Sequence, residues 1–120
     1  MSSDVRLPHW PAWLEEARQM LDRDFRERLT TAHIARTVGV HPVYLAQMFR
    51  KHFACGVIEY IARRRIAYAC RELRNSGVPI ADIAIAAGFY DQGHFSRTFK
   101  RILGITPSVY RRRHRPRADS

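Results

Sequence analysis

The sequence predicts an all-α fold of about seven helices, in which two helix-turn-helix subdomains are joined by a long linker helix. Between residues 83 and 110, apolar residues recur at three- and four-residue steps on either side of Gly88, as in two helices joined by a tight turn. The same pattern occurs once before, about 50 residues earlier. Between the two copies, a further helical pattern runs without interruption over about 19 residues.

The two copies of the pattern align residue by residue. Ile34 and Gly39 match Ile83 and Gly88 at an offset of 49 residues. After the glycine the offset becomes 50, so the second turn is one residue longer than the first. The pairs at this larger offset are Leu45 with Phe95, Phe49 with Phe99, Arg50 with Lys100, Lys51 with Arg101 and Tyr60 with Tyr110. Two copies are too few for a solenoid, and we therefore predict two helix-turn-helix units.

The chain is expected to begin with a flexible arm, because residues 1–9 show no periodicity. From Pro11 to about Asp24 the apolar spacing then predicts an amphipathic helix. Its apolar stripe has to bury against the first unit. We predict that Trp10 and Trp13 are core aromatics of this contact.

The first unit is predicted to contain two short helices. Thr30 is the expected N-cap of the first, and Gly39 supplies the left-handed residue that ends it. His41 and Pro42 open the second, since proline fits the first turn of a helix. The residues predicted to face inward are Ala32, Ile34, Ala35, Val38, Leu45, Met48, Phe49 and Phe53.

Residues 57 to about 75 are predicted to form the linker helix, which ends in a segment rich in turn residues. Its expected apolar stripe consists of Ile58, Ile61, Ala62, Ile66, Ala69 and Leu73. An arginine run, 63–65, falls largely outside this stripe. Such a run fits a solvated face and a ligand contact equally well.

The second unit repeats the first. A helix around Ile83 should stop at Gly88, and another should start at Asp91 with Phe95, Phe99 and Leu103 on one face. Thr106 and Pro107 then form the start of a last helix. The resulting divisions are an arm (1–9), a first subdomain (10–55), the linker helix (56–77), a second subdomain (78–112) and a basic tail (113–120).

The charge of the chain favours a polyanionic partner. The formal net charge is +10, and residues 61–120 hold 13 Lys and Arg against four Asp and Glu. Taken alone, this excess also fits a basic surface without a partner. With 120 residues, of which 46% are apolar, the chain can bury a modest core but not a large enzyme pocket with a lid.

Several other classes of protein are disfavoured. The two cysteines and six histidines lack the spacing of a metal site or a catalytic triad, and no glycine-rich phosphate loop is present. We therefore predict neither enzymatic activity nor a cofactor or metal. The first residues lack the apolar core of a signal peptide, and no apolar run approaches the length of a membrane span. The sequence thus predicts a cytoplasmic protein without a membrane partner.

The second helix of each unit, here called a reader helix, carries outward side chains of the types that reach bases and phosphates from a major groove. These side chains predict double-stranded DNA as the partner. For the first reader helix the base-reading residues are Val43, Ala46 and Gln47, and for the second Gln92, His94 and Arg97. The alternative role of Arg97 is an internal ion pair with a carboxylate such as Asp91. The predicted phosphate contacts are His41, Arg50, Lys51, Lys100, Arg101, Arg111 and Arg112, followed by a tail that either attracts phosphates or only aids solubility.

A long motif in the second unit resembles the DNA-binding domain of the AraC/XylS family of bacterial transcription regulators. The motif consists of Ile83-Ala84, Gly88-Phe89, Asp91-Gln92, His94-Phe95-Ser96-Arg97, Phe99-Lys100, Gly104, Thr106-Pro107 and Tyr110-Arg111. The likeness covers roughly residues 10–112. It implies two homeodomain-like subdomains that bind asymmetric sites near promoters, read by Val43, Ala46, Gln47 and Arg50 in the first unit and Gln92, Gly93, His94 and Arg97 in the second.

The sequence departs from the family pattern at two places. Gly93 lies where members usually carry a side chain, often serine, so the second reader helix is expected to touch one base fewer. Ala54-Cys55-Gly56-Val57 replaces the common Gly-x-Ser-Pro before the linker helix, although Gly56 can still serve as an N-cap.

The resemblance also implies partners beyond DNA. Many members carry an N-terminal effector-binding domain, so this chain is either a stand-alone member or a fragment. Activation in the family often works through RNA polymerase, and the site of action would be the bacterial nucleoid. A structured-RNA binder would share the charge, but the paired pattern keeps its aromatics inward and leaves no stacking platform.

Overall fold

A computed structural model describes residues 10–114, so the predicted arm (1–9) and the tail beyond residue 114 lie outside the described residues. Between these limits the chain forms seven helices and no strand, which confirms the predicted all-α class. The helices are α1 (Ala12–Asp24), α2 (Thr31–Val38), α3 (Pro42–Phe53), α4 (Val57–Asn75), α5 (Ile80–Ala87), α6 (Gln92–Leu103) and α7 (Pro107–His114).

The internal repeat appears in the structure as two helix pairs of equal length. Helices α2 and α5 each contain eight residues, and the reader helices α3 and α6 each contain 12. Gly39 and Gly88 end the first helix of each pair with φ angles of 82° and 106°, a conformation that glycine adopts without strain. Both pairs therefore repeat one arrangement of helices, with a connection that is one residue longer in the second pair.

The core is divided into two clusters that share α4. The first cluster joins Leu14, Leu21, Ile34, Leu45 and Phe49 to the N-terminal half of α4, and Trp10 and Trp13 pack against its edge. The second joins Ile83, Ala84, Phe95 and Phe99 to the C-terminal half, through Ile66, Ala69 and Leu73. One helix therefore connects two separately packed units.

Three residues predicted to face inward are exposed. Ile58 is 64% exposed because Val57, one residue earlier in α4, takes the inward position. Leu103 is 41% exposed, since Ile102 packs against the second cluster instead. Ala32 lies in the first turn of α2, before the helix reaches the core, and is also exposed. None of the helices formed by residues 10–114 is long and apolar enough to cross a membrane.

Glu15 in α1 makes the stability of the first unit sensitive to acid. Hydrogen bonds from Arg18, supported by Gln19 and Trp10, lower the pKa of the Glu15 carboxyl from 4.5 to about 2. A carboxyl with a lowered pKa in the folded state stabilises the fold while it is ionised. Its contribution is complete above the unfolded pKa and is lost as the pH falls from about 4.5 towards 2.

We expect Glu15→Gln to lose less stability than the wild type when the pH falls from 5 to 2. Thermal unfolding at several pH values measures this difference. Glu16→Gln, at the exposed neighbouring position on the same helix, is the control and should follow the wild type. If the unfolding temperatures of Glu15→Gln and wild type fell in parallel with pH, the role assigned to Glu15 would be contradicted.

Candidate nucleic-acid interface

The first reader helix, α3, buries one side and leaves the other to solvent. The Nδ1 atom of His41 accepts a hydrogen bond from the backbone N–H of Val43 at 3.1 Å, which caps the start of the helix. Leu45 and Phe49 are fully buried and fix the rotation of the helix about its axis. As a result all four predicted side chains of this helix are exposed, namely Val43, Ala46, Gln47 and Arg50.

The second reader helix, α6, is held in the same manner. The carboxylate of Asp91 accepts a hydrogen bond from the backbone N–H of His94 at 2.7 Å, and Phe95 and Phe99 are fully buried. Gln92, Gly93, His94 and Arg97 are exposed on the opposite side. Each reader helix therefore presents its predicted residues on one solvent-facing surface.

Arg97 does not form its alternative ion pair in the described part of the chain, where Asp91 acts as the cap of α6. The guanidinium instead lies over Gly93, where an added Cβ would be 3.3 Å from Nη1 of Arg97. The small residue at position 93 thus leaves room for the Arg97 side chain to lie along the start of the helix.

Among the predicted phosphate contacts, Arg50, Lys51, Lys100 and Arg112 are exposed at or beyond the reader helices. His41 is exposed as well, although its Nδ1 serves the cap. Arg101 has an intramolecular partner, since its Nη2 lies 3.1 Å from a carboxylate oxygen of Glu59 in α4. The hydrogen bond that Nη1 of Arg101 donates to Glu59, with that from Arg63, lowers the pKa of the Glu59 carboxyl.

The guanidinium of Arg111 has acceptors within the fold. Its Nε donates to the backbone oxygen of Leu73 at 3.3 Å, and its Nη2 donates to that of Ser76 at 3.1 Å. Arg111 is half-buried and satisfies carbonyl groups at the C-terminal end of α4. These bonds give Arg111 a structural role at the end of α4, and its contact with a phosphate stays a prediction.

The exposed start of α4 connects the two reader surfaces. Ile58 and Glu59 line a shallow depression together with Ala46 and Arg50 of α3. They also line a second depression together with His94 and Arg101 of α6. The same two residues thus border both reader helices, and we call the outward sides of α3 and α6, together with this strip of α4, the reading surface.

Sequence reasoning missed the function of the arginine run. Arg64 forms an ion pair with Asp22 of α1, and Arg65 is half-buried with its guanidinium on backbone carbonyl groups between α1 and α2. Arg63 alone in this run is exposed, where it pairs with Glu59. The acceptors of Arg65 are backbone oxygens, which leave no signal in a sequence.

The chain is similar to known transcription regulators. A family model described as a helix-turn-helix domain matches residues 34–113. The regulatory protein SoxS of Salmonella typhimurium is 38% identical over 95 residues, which are 79% of this chain and 89% of SoxS. A putative AraC-like transcription regulator of Streptomyces antibioticus is 35% identical over 96 residues, which are 80% of this chain but 32% of that relative.

Solved structures share the fold. The C-terminal domain of AraT, a response regulator from Geobacillus stearothermophilus, superposes with a TM-score of 0.87 at 28% identity over 93% of both chains. This chain spans 25% of one curated relative and 89% of SoxS. The similarity thus concerns one region of the longer relatives and nearly the whole of SoxS.

Proposed function

The chain belongs to the AraC family of helix-turn-helix transcription regulators, and we propose that it binds duplex DNA near promoters with its two reader helices in successive major grooves. The observation that carries this proposal is the reading surface, on which the outward sides of α3 and α6 adjoin the same residues, Ile58 and Glu59. A duplex lying on that surface would meet both helices from one side.

The spacing of the two units supports simultaneous binding. Helix α4 contains 19 residues and so extends about 28 Å at roughly 1.5 Å per residue. Successive major grooves on one side of B-form DNA are about 34 Å apart. The molecule measures 51 × 39 × 21 Å, so its long dimension accommodates two grooves.

We assign sequence reading to a few exposed side chains. Arg97 can donate two hydrogen bonds to O6 and N7 of guanine, and Gln47 and Gln92 can pair with N6 and N7 of adenine. Val43 and Ala46 offer only apolar contact, which suits the methyl group of thymine. His94 and Gly93 complete the surface of the second reader helix. Gly93 contributes a close backbone approach rather than a side-chain contact.

Phosphate attraction is assigned to Arg50, Lys51, Lys100 and Arg112, with the N-terminal ends of the reader helices as additional anion contacts. His41 and Arg101 are also assigned to phosphate attraction. They would act through the side-chain nitrogen atoms that are not used in the cap of α3 or in the ion pair with Glu59. Neutralising phosphates releases counterions and gives affinity that depends on salt but not on sequence.

Lys100→Ala is expected to weaken binding to all duplexes alike. Removing one phosphate contact should also reduce the slope of log K against log salt by about 0.9. Fluorescence anisotropy titrations at several salt concentrations, with a specific and a random duplex, measure both effects. The control is Arg23→Ala, an exposed α1 position outside the reading surface, for which the slope should stay that of the wild type. Equal slopes for Lys100→Ala and wild type would remove Lys100 from the interface.

Selection of bound duplexes from a random pool tests the proposed function. The bound sequences should contain two half-motifs with centres about one helical turn, 10 to 10.5 base pairs, apart. Competition with structured RNA should not displace the selected duplex. Enrichment of a single half-motif, or preferential binding to RNA, would contradict the proposal.

We extend the proposal to the setting in which the chain acts. We infer that it has no enzymatic activity and works in the cytoplasm on nucleoid DNA, with RNA polymerase as a partner in activation. An N-terminal effector-binding domain would agree with the greater length of several relatives. The subdomain limits of 10–55 and 78–112, joined by a linker at 56–77, are part of the same proposal.

A further inference from the structure

The segment between α1 and α2 belongs to the first unit but contacts the second. Arg65, in the middle of α4, donates from Nε to the backbone oxygen of Phe25 at 2.7 Å and from Nη2 to that of Glu27 at 2.9 Å. The two carbonyl groups lie on either side of Arg26. One guanidinium therefore fixes the whole turn of residues 25–27 against the linker helix.

Arg26 continues this contact into the second unit. Its Nε donates to the backbone oxygen of Ala86, in the last turn of α5, at 2.6 Å. Its guanidinium lies 4.4 Å from the ring centroid of Tyr68, in the half of α4 that belongs to the second cluster. A positive side chain at the C-terminal end of α5 also complements the helix dipole. Arg26 is thus bonded directly to the other unit.

Gly88 shows how closely the two units approach here. A Cβ at this position would lie 2.8 Å from Nε of Arg65 and 2.9 Å from the backbone oxygen of Arg26. Both distances are too short for a side chain. The absence of a side chain at residue 88 lets the 25–27 turn, Arg65 and the end of α5 meet at one point.

This second contact between the units matters because α4 alone restricts their relative orientation only weakly. A single helix bends and twists, and each unit has its own core. A second contact between the units, in addition to α4, restricts both the bending and the twisting. We propose that this contact, here called the clasp and formed by Arg26, Arg65, the 25–27 turn and Gly88, fixes the relative orientation of the two reader helices and thereby selects the spacing between half-motifs in DNA.

The inference rests on the proposed function, in which both reader helices bind one duplex. Two linked modules bind more tightly than either alone only if their geometry lets both engage, and a fixed geometry favours one spacing over others. Arg26 and Arg65 act as positioning residues, since they hold the units without contacting bases. Arginine suits this role at residue 65 because its planar fork holds two acceptors in a fixed geometry, whereas a lysine donates from a single nitrogen at the end of a flexible stem.

The test uses a panel of duplexes in which the selected half-motifs are moved apart or together by one or two base pairs. Each base pair rotates one half-motif by about 34° around the duplex. Wild-type affinity should fall about tenfold or more away from the best spacing, because one unit loses its groove. In Arg65→Ala and in Arg26→Ala the profile should flatten, with about tenfold weaker binding at the best spacing and binding to a single half-motif within about twofold of wild type.

Arg23→Ala is the matched control, since it removes one exposed arginine charge from α1, outside both the clasp and the reading surface. It should keep the wild-type spacing profile. Arg65→Lys retains the charge but not the fork and should flatten the profile as well. If Arg65→Ala fails to fold, Arg26→Ala, at an exposed turn position, carries the test. If the spacing profiles of the clasp variants are parallel to that of Arg23→Ala, the inference is overturned.

A measurement without DNA separates this inference from the proposed function. Residual dipolar couplings of the free protein should fit a single alignment tensor for both units in the wild type and require two tensors in the clasp variants. One shared tensor in both variants would overturn the clasp, whatever the DNA results. A wild-type protein with no preference for two half-motifs would instead contradict the proposed function while leaving the orienting contact intact.

Discussion

Replacing Arg97 with alanine is expected to weaken binding to the specific duplex by about 1–3 kcal/mol, with a much smaller effect on random DNA. The guanidinium of Arg97 is exposed on the reading surface and no carboxylate in the described chain holds it. It is therefore available to donate two hydrogen bonds to one guanine. Losing them removes discrimination at one base pair and leaves the phosphate contacts in place.

The ratio of specific to random affinity is the quantity to measure, at one fixed salt concentration. Gln47→Ala in the first reader helix should also lower this ratio, because it removes a pairing with adenine. Lys100→Ala serves as the contrast, since it removes one positive charge about a turn further along α6 and should lower both affinities together. An unchanged ratio in Arg97→Ala would remove Arg97 from the base-reading set.

The second large effect is expected at Phe95. Phe95→Ala should lower the free energy of unfolding by about 3–5 kcal/mol, as for other fully buried aromatic side chains. The ring is 0% exposed and packs against Phe89 and Phe99, with centroid distances of 5.3 and 5.5 Å. Its loss leaves a cavity in the smaller of the two clusters, directly beneath the second reader helix.

Urea unfolding followed by circular dichroism measures this loss. Leu103→Ala is the control, since Leu103 is on the same helix but 41% exposed, and it should cost less than about 1 kcal/mol. DNA binding by Phe95→Ala should fall to the level of the first unit alone. If Phe95→Ala unfolded with its midpoint at the same urea concentration as the wild type, the stability of the second cluster would not depend on this ring.

The sequence predicted the helices because each boundary depends on local chemistry. Thr30, Asp91 and Gly39 act through their own backbone and its nearest neighbours, so their roles can be read from residue type alone. The inward sides were less predictable at helix ends. Ile58 and Leu103 have the correct spacing, but neighbouring residues fill the available space, and only the packed structure decides between them.

The exposure of the reader residues could be predicted from the spacing of apolar residues. Once the buried side of a helix is known, the residues on the other side must be exposed. The clasp could not be predicted. Arg26 and Arg65 bind backbone oxygens that lie 60 and about 40 residues away, and a backbone oxygen is the same for every residue type. The structural role of Arg111 could not be predicted for the same reason, because its carbonyl acceptors at the end of α4 carry no sequence signal.

Hydroxyl-radical footprinting on a selected duplex tests the central claim most directly. Two reader helices in successive major grooves should protect two segments of the backbone, centred about 10 base pairs apart on the same side of the duplex. Arg97→Ala should weaken one protected segment and Gln47→Ala the other. A single protected segment, or two segments on opposite sides of the duplex, would contradict binding through one reading surface.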